Sequence, residues 1–185
     1  MHHSRGIADE EIISHCKTGS LKYQELLYKR FYGYAMGISL RYCINRDDAL
    51  EVVNDAFIKV FNGINNFNSD RPFKAWLRTI TVNTAIDRHR KDLKLQLNIA
   101  IENAMPIVSS SANAIENLNV QDILNLMKEL PAIQHTIFNL YEIDGYNHDE
   151  IAELLAIPAS SSRVYLSRAK EKLRTLLRSE AQSHG

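Results

Sequence analysis

Apolar side chains recur at intervals of three and four residues along most of this 185-residue chain, and no segment alternates apolar with polar residues. Residues 21–42 show this spacing most clearly, with seven apolar or aromatic residues: Leu26, Leu27, Phe31, Tyr34, Ala35, Ile38 and Tyr42. Such a period is typical of amphipathic helices, whereas strands would require alternation. Because only 7 glycines and 4 prolines interrupt the chain, the sequence predicts an all-α fold.

The helical period fails in residues 95–118, and this break divides the chain. The segment contains Pro106, three consecutive serines and no lysine or arginine. We interpret it as a flexible linker that becomes ordered on binding. The sequence therefore predicts two small helical domains, residues 1–94 and 119–185, joined by this linker.

Composition and residue spacing argue against several classes of protein. No run approaches the roughly 20 apolar residues of a membrane span, and the N-terminal residues lack a signal-peptide core. We therefore expect a cytoplasmic protein without direct membrane insertion. Cys16 and Cys43 form no CxxC or His/Cys cluster, so no metal site is expected. His135, His148 and Cys43 show no catalytic spacing, so we expect no enzyme activity, catalytic residue or cofactor.

The formal net charge of zero conceals a strong segregation of charge. Residues 1–94 hold 15 basic and 11 acidic side chains, residues 95–150 hold 1 and 8, and residues 151–185 hold 6 and 3. A basic face attracts phosphates whatever the total charge of the chain. Both ends of the sequence are therefore compatible with binding to nucleic acid.

The C-terminal part carries the pattern of a helix-turn-helix. Asn147 and Glu150 resemble a capping box for a short helix over residues 148–155. Ala152 is the small residue needed where a second helix crosses, and Ile157 is the apolar residue of the turn.

The helix that follows has an apolar and a basic side. Its apolar stripe consists of Leu166, Ala169, Leu173, Leu176 and Leu177, and its other side carries Arg163, Ser167, Arg168, Lys170, Arg174 and Arg178. A recognition helix enters the major groove with such a basic outer face. The alternative is a surface helix whose basic residues are merely solvated.

Residues 71–94 combine seven basic side chains with nearby aromatic residues. Lys74, Arg78, Thr81 and Arg88 share one arc of the predicted helix, and Phe67 and Phe73 lie in the loop that leads into it. This combination suits single-stranded DNA whose bases stack on aromatic rings. The alternative is that Phe73 and Trp76 belong to the core, in which case stacking depends on the loop.

The segment DDALEVVNDAFIKVF, residues 47–61, predicts another amphipathic helix, the third along the chain and hereafter helix three, with Asn45 as its N-cap. One stripe consists of Asp48, Glu51, Asp55 and Lys59, and the opposite stripe of Val53, Phe57, Val60 and Phe61. An acidic stripe of this kind can dock a basic partner surface, although solvated acidic faces are common.

Together these segments resemble the extracytoplasmic-function class of bacterial sigma factors. The resemblance rests on DDALEVVNDAFIKVF, FKAWLRTITVNTAIDRHR, LPAIQHTIFNLYEIDGYNHDEIAELLAIP and LSRAKEKLR, which follow the family's order and spacing. It covers nearly all of the chain outside residues 1–20 and the linker. It implies a promoter-specificity subunit that directs RNA polymerase core to promoters and helps to melt them.

The resemblance also implies three sets of site residues. The resemblance assigns docking on the clamp coiled coil of the polymerase beta-prime subunit to Asp48, Glu51, Asn54, Asp55 and Lys59. The resemblance assigns capture of the melted minus-ten strand to the loop over residues 65–72, which contains Asn65, and to Arg78 and Asn83 of the following helix. The basic and aromatic pattern of this region adds Phe67, Lys74, Trp76 and Arg88. The resemblance assigns recognition of the minus-thirty-five duplex to residues 161–174, with Ser161, Arg163, Val164, Ser167, Arg168, Lys172 and Arg174 as the candidate contacts. Further implied partners are the polymerase beta flap and an anti-sigma factor.

Several positions depart from the family pattern. Helix three has Leu50 and Asn54 where the family often has an acid and a glutamine. In the recognition helix Ser162 replaces a buried valine and Tyr165 replaces a basic residue. Ala156 replaces the turn glycine, which is tolerable if its backbone keeps a negative φ. A competing interpretation is a helix-turn-helix regulator with a helical sensor domain. It leaves the helix-three segment and WLRTITVNT unexplained.

Overall fold

The computed structural model describes residues 7–43, 45–102 and 126–183, and every regular element within these ranges is helical. The principal helices are α1 (Asp9–Lys17), α2 (Leu21–Ser39), α3 (Arg46–Gly63), α4 (Phe73–Glu102), α5 (Ala132–Phe138), α6 (His148–Leu155) and α7 (Ala159–Ser183). A 3-10 turn, Ile64–Asn66, follows α3, and a π-helical turn, Asn139–Ile143, follows α5. The predicted all-α class is confirmed.

The chain divides after Arg88 into two compact units. Helix α4 continues to Glu102, so the first eight residues of the segment 95–118 are helical. Between Phe73 and that point no proline or glycine interrupts the helix, and the next such residue is Pro106. Residues 103–118 lie outside the described residues.

The first unit buries one apolar core, formed by α1 to α4. Leu27 and Phe31 of α2 pack with Val53 and Phe57 of α3 and with Leu77 of α4, and all five are nearly inaccessible to solvent. At the start of α3 the side chain of Asn45 accepts a hydrogen bond from the backbone N–H of Asp48 at 2.8 Å, as its predicted capping role requires. The packing of this core therefore determines which face of α3 is exposed to solvent.

In the second unit, the spacing of Ile133, Ile137, Phe138 and Tyr141 predicts one buried stripe on the helical turns before α6, and the structure differs from it. Ile133 and Ile137 are buried as expected, but Tyr141 is 37% exposed and Leu140 is buried instead. The π-helical turn explains the difference, because its wider turn moves the residues after Phe138 around the helix. The spacing of Val120, Ile123, Leu124 and Met127 predicts a further helix, of which residues 120–125 lie outside the described residues. Leu126, Met127 and Leu130 pack against Ala169 and Leu173 of α7.

The helix-turn-helix forms from α6 and α7 with the predicted local contacts. The side chain of Asn147 accepts hydrogen bonds from the backbone N–H groups of Asp149 and Glu150, both at 2.9 Å. Glu150 in turn accepts one from the N–H of Asn147 at 2.8 Å, which completes the capping box. Ile157 is buried in the turn.

Ala156 does not keep the negative φ under which an alanine would be tolerated without strain. Ala156 ends α6 with φ 54° and ψ 50°, which is the left-handed conformation. The N–H of Ile157 then reaches the carbonyl of Ala152 at 3.0 Å. This bond closes the helix end and directs the chain into α7, and an alanine here carries the steric cost that a glycine avoids.

Replacing this alanine should therefore change stability in two opposite directions. Ala156→Gly should raise the free energy of unfolding of the second unit by about 1 kcal/mol, because glycine adopts left-handed φ without a Cβ clash. Ala156→Val should lower it, because a β-branched side chain suffers more at positive φ. Urea denaturation followed by circular dichroism measures both. A stabilising valine variant would show that the conformation of the turn is different.

Candidate polymerase and promoter interfaces

The five predicted docking residues lie on the outward face of α3, hereafter the docking face. Asp48 is half-buried, and Glu51, Asn54, Asp55 and Lys59 are exposed. The opposite side of the helix is buried in the core of the first unit. A rigid helix therefore presents these side chains together, as the amphipathic pattern predicts.

Neighbouring helices pair with several of these side chains. The guanidinium of Arg88 on α4 forms an ion pair with Glu51 and lies 3.6 Å from Asp48. Lys59 lies 3.5 Å from the carboxylate of Asp87. The hydrogen bond with Glu51 is the largest of the effects that raise the pKa of Arg88. Arg88 is among the residues predicted to contact the minus-ten strand, and in the structure its guanidinium lies against the docking face.

Two exposed apolar residues adjoin the docking face and were missed as docking candidates. Leu50 is 37% exposed and Ile58 is 57% exposed, and they lie one helical turn before and after Asn54. The hydroxyl of Tyr28 donates a hydrogen bond to the side chain of Asn54 at 3.0 Å. A helical wheel places Ile58 outside the buried arc, and this signal could have identified it from the sequence.

The aromatic residues of the predicted strand-capture loop are core residues. Phe67 and Phe73 are each 6% exposed. The ring centroid of Phe67 lies 4.9 Å from that of Trp76 and 5.6 Å from that of Phe73, with an edge-to-face arrangement in the second pair. The expectation that Phe67 offers an open ring for base stacking is therefore wrong. The core interpretation of Phe73 is confirmed, and half-buried Trp76 packs with it.

The backbone of this loop is held by specific hydrogen bonds. The ammonium group of Lys17 on α1 donates to the carbonyl of Phe67 at 3.1 Å. Asn68 accepts from the N–H of Asp70 at 2.9 Å, which forms an Asx turn. With Phe67 anchored inside, the loop presents exposed Asn65 at its surface.

The remaining minus-ten candidates lie on α4. Lys74 is exposed, and its ammonium group lies 5.8 Å from the ring centroid of Tyr34. Arg78 and Asn83 are half-buried. These side chains can contribute charge and hydrogen bonds to a nucleic acid, but the described aromatic rings of the loop do not provide an open stacking platform.

The minus-thirty-five candidates all retain accessible surface on α7. The exposed members are Arg163, Lys172 and Arg174, and the half-buried members are Ser161, Val164, Ser167 and Arg168. Leu166, Ala169 and Leu173 of the predicted stripe are buried, and Leu176 and Leu177 are half-buried. Lys172 donates a hydrogen bond to the carbonyl of Glu129 at 2.6 Å, so its ammonium group also supports the fold.

Other kinds of site find no support within the described ranges. No group of three or more His, Cys, Asp or Glu side chains there could hold a metal ion. None of the helices described is both long and apolar enough to span a bilayer. Cys16 and Cys43 are buried, and burial is the main cause that raises the pKa of Cys43 to about 11.

Comparison with known proteins assigns the chain to a family. The family model for Sigma-70 region 2 matches residues 27–94, and the one for Sigma-70, region 4 matches residues 120–173. The ECF RNA polymerase sigma-E factor of Escherichia coli is 27% identical over 181 residues, which cover 92% of this chain and 94% of that protein. The chain belongs to the extracytoplasmic-function sigma factors. It is a promoter-specificity factor for transcription initiation by RNA polymerase.

Further relatives agree with this assignment. The sigma-E factor of Haemophilus influenzae is 26% identical over 178 residues, covering 90% of this sigma factor and 94% of the relative. The RNA polymerase sigma-H factor of Pseudomonas aeruginosa is 24% identical over 176 residues, covering 89% and 91%. The alternative of a regulator with a sensor domain is not favoured, because a sigma region and not a sensor matches the first unit.

Two solved structures share the fold of this sigma factor. CnrH, in complex with the cytosolic domain of CnrY, has a TM-score of 0.50 at 22% identity and covers 94% of this chain and 99% of its own. The sigma factor RpoE of Bartonella quintana, in complex with the anti-sigma factor NepR, has a TM-score of 0.52 at 20% identity and covers 83% and 96%.

Proposed function

We propose that this sigma factor divides its work among three surfaces. The docking face of α3 binds the polymerase clamp, the loop over residues 65–72 with α4 captures the melted minus-ten strand, and the first turns of α7 read the minus-thirty-five duplex. The observation that carries the proposal is the docking face itself, where acidic and apolar side chains stand exposed on a helix that the core holds rigid. The domains implied are residues 1–94 and 119–185, with residues 95–118 between them.

The docking face suits a partner surface that is basic and partly apolar. Glu51 and Asp55 supply negative charge, and Ile58 and Leu50 supply exposed apolar area beside them. Arg88 neutralises part of this charge in the free protein, since it pairs with Glu51 and Asp48. A cationic partner would compete with Arg88 for these carboxylates, so Arg88 acts on docking rather than on DNA.

Sequencing the DNA that the protein retains together with core polymerase tests the whole proposal. We expect fragments that share an upstream and a minus-ten element, recovered only when core polymerase is present. Recovery of the same fragments by the chain alone would instead support a regulator that binds DNA without polymerase.

Strand capture rests on polar side chains of α4 and on the outer surface of the loop. Asn83→Ala should leave core binding intact and slow promoter opening by about threefold to tenfold, as expected for one lost hydrogen bond. Permanganate reactivity of promoter thymines measures opening. Lys22→Ala, an exposed change on α2, is the control and should open promoters normally. Unchanged thymine reactivity in the Asn83 variant would remove Asn83 from this surface.

Two arginines of the recognition helix α7 should make different kinds of contact with DNA, one with base edges and the other with phosphates. Arg163, in the first turns of α7, should contact base edges, whereas Arg174 lies about three turns further on and should contact the DNA backbone. Arg163→Ala should cost ~1–3 kcal/mol on the cognate element and relax one or two base positions, and Arg174→Ala should weaken all sequences alike. Lys172→Ala is a poorer probe, because Lys172 also bonds to Glu129. Selection of random upstream elements with holoenzyme measures both effects, and an unaltered motif with Arg163→Ala would pass the reading role to Ser161, Val164 or Ser167.

The proposed function also implies where the protein acts and with which partners. A sigma factor works on the polymerase in the cytoplasm and performs no catalytic step of its own. We include an anti-sigma factor among its partners, since the related RpoE of Bartonella quintana was solved with one. The polymerase beta flap is the expected partner of the second unit.

A further inference from the structure

A polar bond joins the two helices of the helix-turn-helix. The ring nitrogen Nδ1 of His148, the first residue of α6, lies 2.9 Å from the hydroxyl of Ser162 in the first turn of α7. Ser162 is fully buried. A hydroxyl removed from water needs a partner, and its loss of hydration is costly if none is supplied. The bond therefore couples the start of α6 to the start of α7 at one defined point.

Neighbouring side chains hold the imidazole ring in place. The ring of His148 stacks on Tyr141, with centroids 4.5 Å apart and an angle of 25° between the planes. The ammonium group of Lys170 lies 6.0 Å from the centroid of Tyr141 and 2.6 Å from a carboxylate oxygen of Glu142. The imidazole of His148 is thereby held against Tyr141 of the π-helical turn. Lys170 in the middle of α7 contacts the same turn.

The electrostatic surroundings favour the neutral imidazole. Burial is the main cause that lowers the pKa of His148, and the charges of Arg163 and Lys170 lower it further, while Asp149 opposes them. A neutral ring carries one nitrogen that accepts a hydrogen bond. Nδ1 can thus accept from the hydroxyl of Ser162, with the ring proton on the other nitrogen.

We propose that His148 is a positioning residue for promoter recognition, which sets through Ser162 the angle at which the first turns of α7 meet the DNA. Ser162 stands between Ser161 and Arg163 in the chain, so the bond fixes the backbone next to two residues assigned to base reading. Small displacements there change which base edges a side chain reaches. The inference rests on the proposed role of α7 in reading the minus-thirty-five element.

A double-mutant cycle in holoenzyme tests this inference. His148→Phe keeps a ring to stack on Tyr141 but removes the nitrogen, and Ser162→Ala removes the hydroxyl. The measured quantity is discrimination, the ratio of affinities for the selected upstream element and for a scrambled one. We expect each single variant to lose discrimination by about threefold to tenfold, and the double variant to lose no more than one of them.

A conservative variant separates positioning from folding. The amide of His148→Asn can place a hydrogen-bonding atom near the position of Nδ1 and should restore much of the lost discrimination. Thermal unfolding of each variant is measured in parallel. If the variants melt earlier and bind both DNAs more weakly at an unchanged ratio, His148 only supports the fold and the inference is overturned.

The inference and the proposed function fail in different ways. If wild-type holoenzyme does not prefer the selected element to the scrambled one, the assignment of α7 to promoter reading is wrong. If wild-type holoenzyme discriminates but the two single losses simply add in the double variant, the bond does not act as a unit and the positioning role is wrong.

Discussion

Core polymerase should no longer co-purify with the Asp48→Lys, Asp55→Lys double variant. Asp55 is exposed on the docking face, and Asp48 lies 3.6 Å from Arg88. A lysine at position 48 would oppose Arg88 rather than pair with it, and both changes convert attraction to a basic partner into repulsion. We expect at least a ~100-fold loss of affinity, which co-purification and fluorescence anisotropy both detect.

A matched control carries the same change of charge elsewhere in the first unit. Glu10→Lys with Glu11→Lys alters two exposed acids in the first turn of α1, away from α3 in sequence. This variant should still assemble holoenzyme, with at most a small loss of helix stability from the reversed dipole interaction. Assembly of the Asp48, Asp55 variant at moderate salt would show that docking does not use this face.

Phe67→Ala should destabilise the first unit rather than impair DNA binding selectively. The ring of Phe67 is 6% exposed and packs against Phe73 and Trp76. Removing a buried aromatic ring typically costs about 3–5 kcal/mol, because a cavity remains where the ring stood. Urea denaturation of the variant and of wild type measures the loss.

The neighbouring residue Asn65 supplies the comparison for this prediction. Asn65→Ala changes an exposed side chain of the same segment and should alter stability by less than about 0.5 kcal/mol. If Phe67→Ala unfolds at the wild-type urea concentration and yet fails to open promoters, Phe67 leaves the core during opening and serves as a stacking surface. That result would restore the role expected from the sequence.

Local signals in the sequence predicted the elements that local physics determines. The bounds of α6 match the predicted residues 148–155, because the capping box of Asn147 and Glu150 marks where this helix begins. The same reasoning found the cap at Asn45. The outward placement of the docking residues followed from helical periodicity alone.

Features that depend on residues far apart in the chain could not be predicted from the sequence. The burial of Phe67 depends on Trp76 and on Lys17, 50 residues away. The pairing of Arg88 with Glu51 joins residues 37 positions apart, on two different helices. The left-handed Ala156 lacks the glycine that normally marks such a turn. None of these has a periodic or capping signature.

The most direct test of the central claim is run-off transcription with purified core polymerase that lacks other sigma factors. Adding this chain should produce discrete transcripts from a genomic DNA pool, and their start sites should share one minus-ten and one minus-thirty-five element. Transcripts no more specific than those of core polymerase alone, from folded protein that binds core, would contradict its assignment as a promoter-specificity factor.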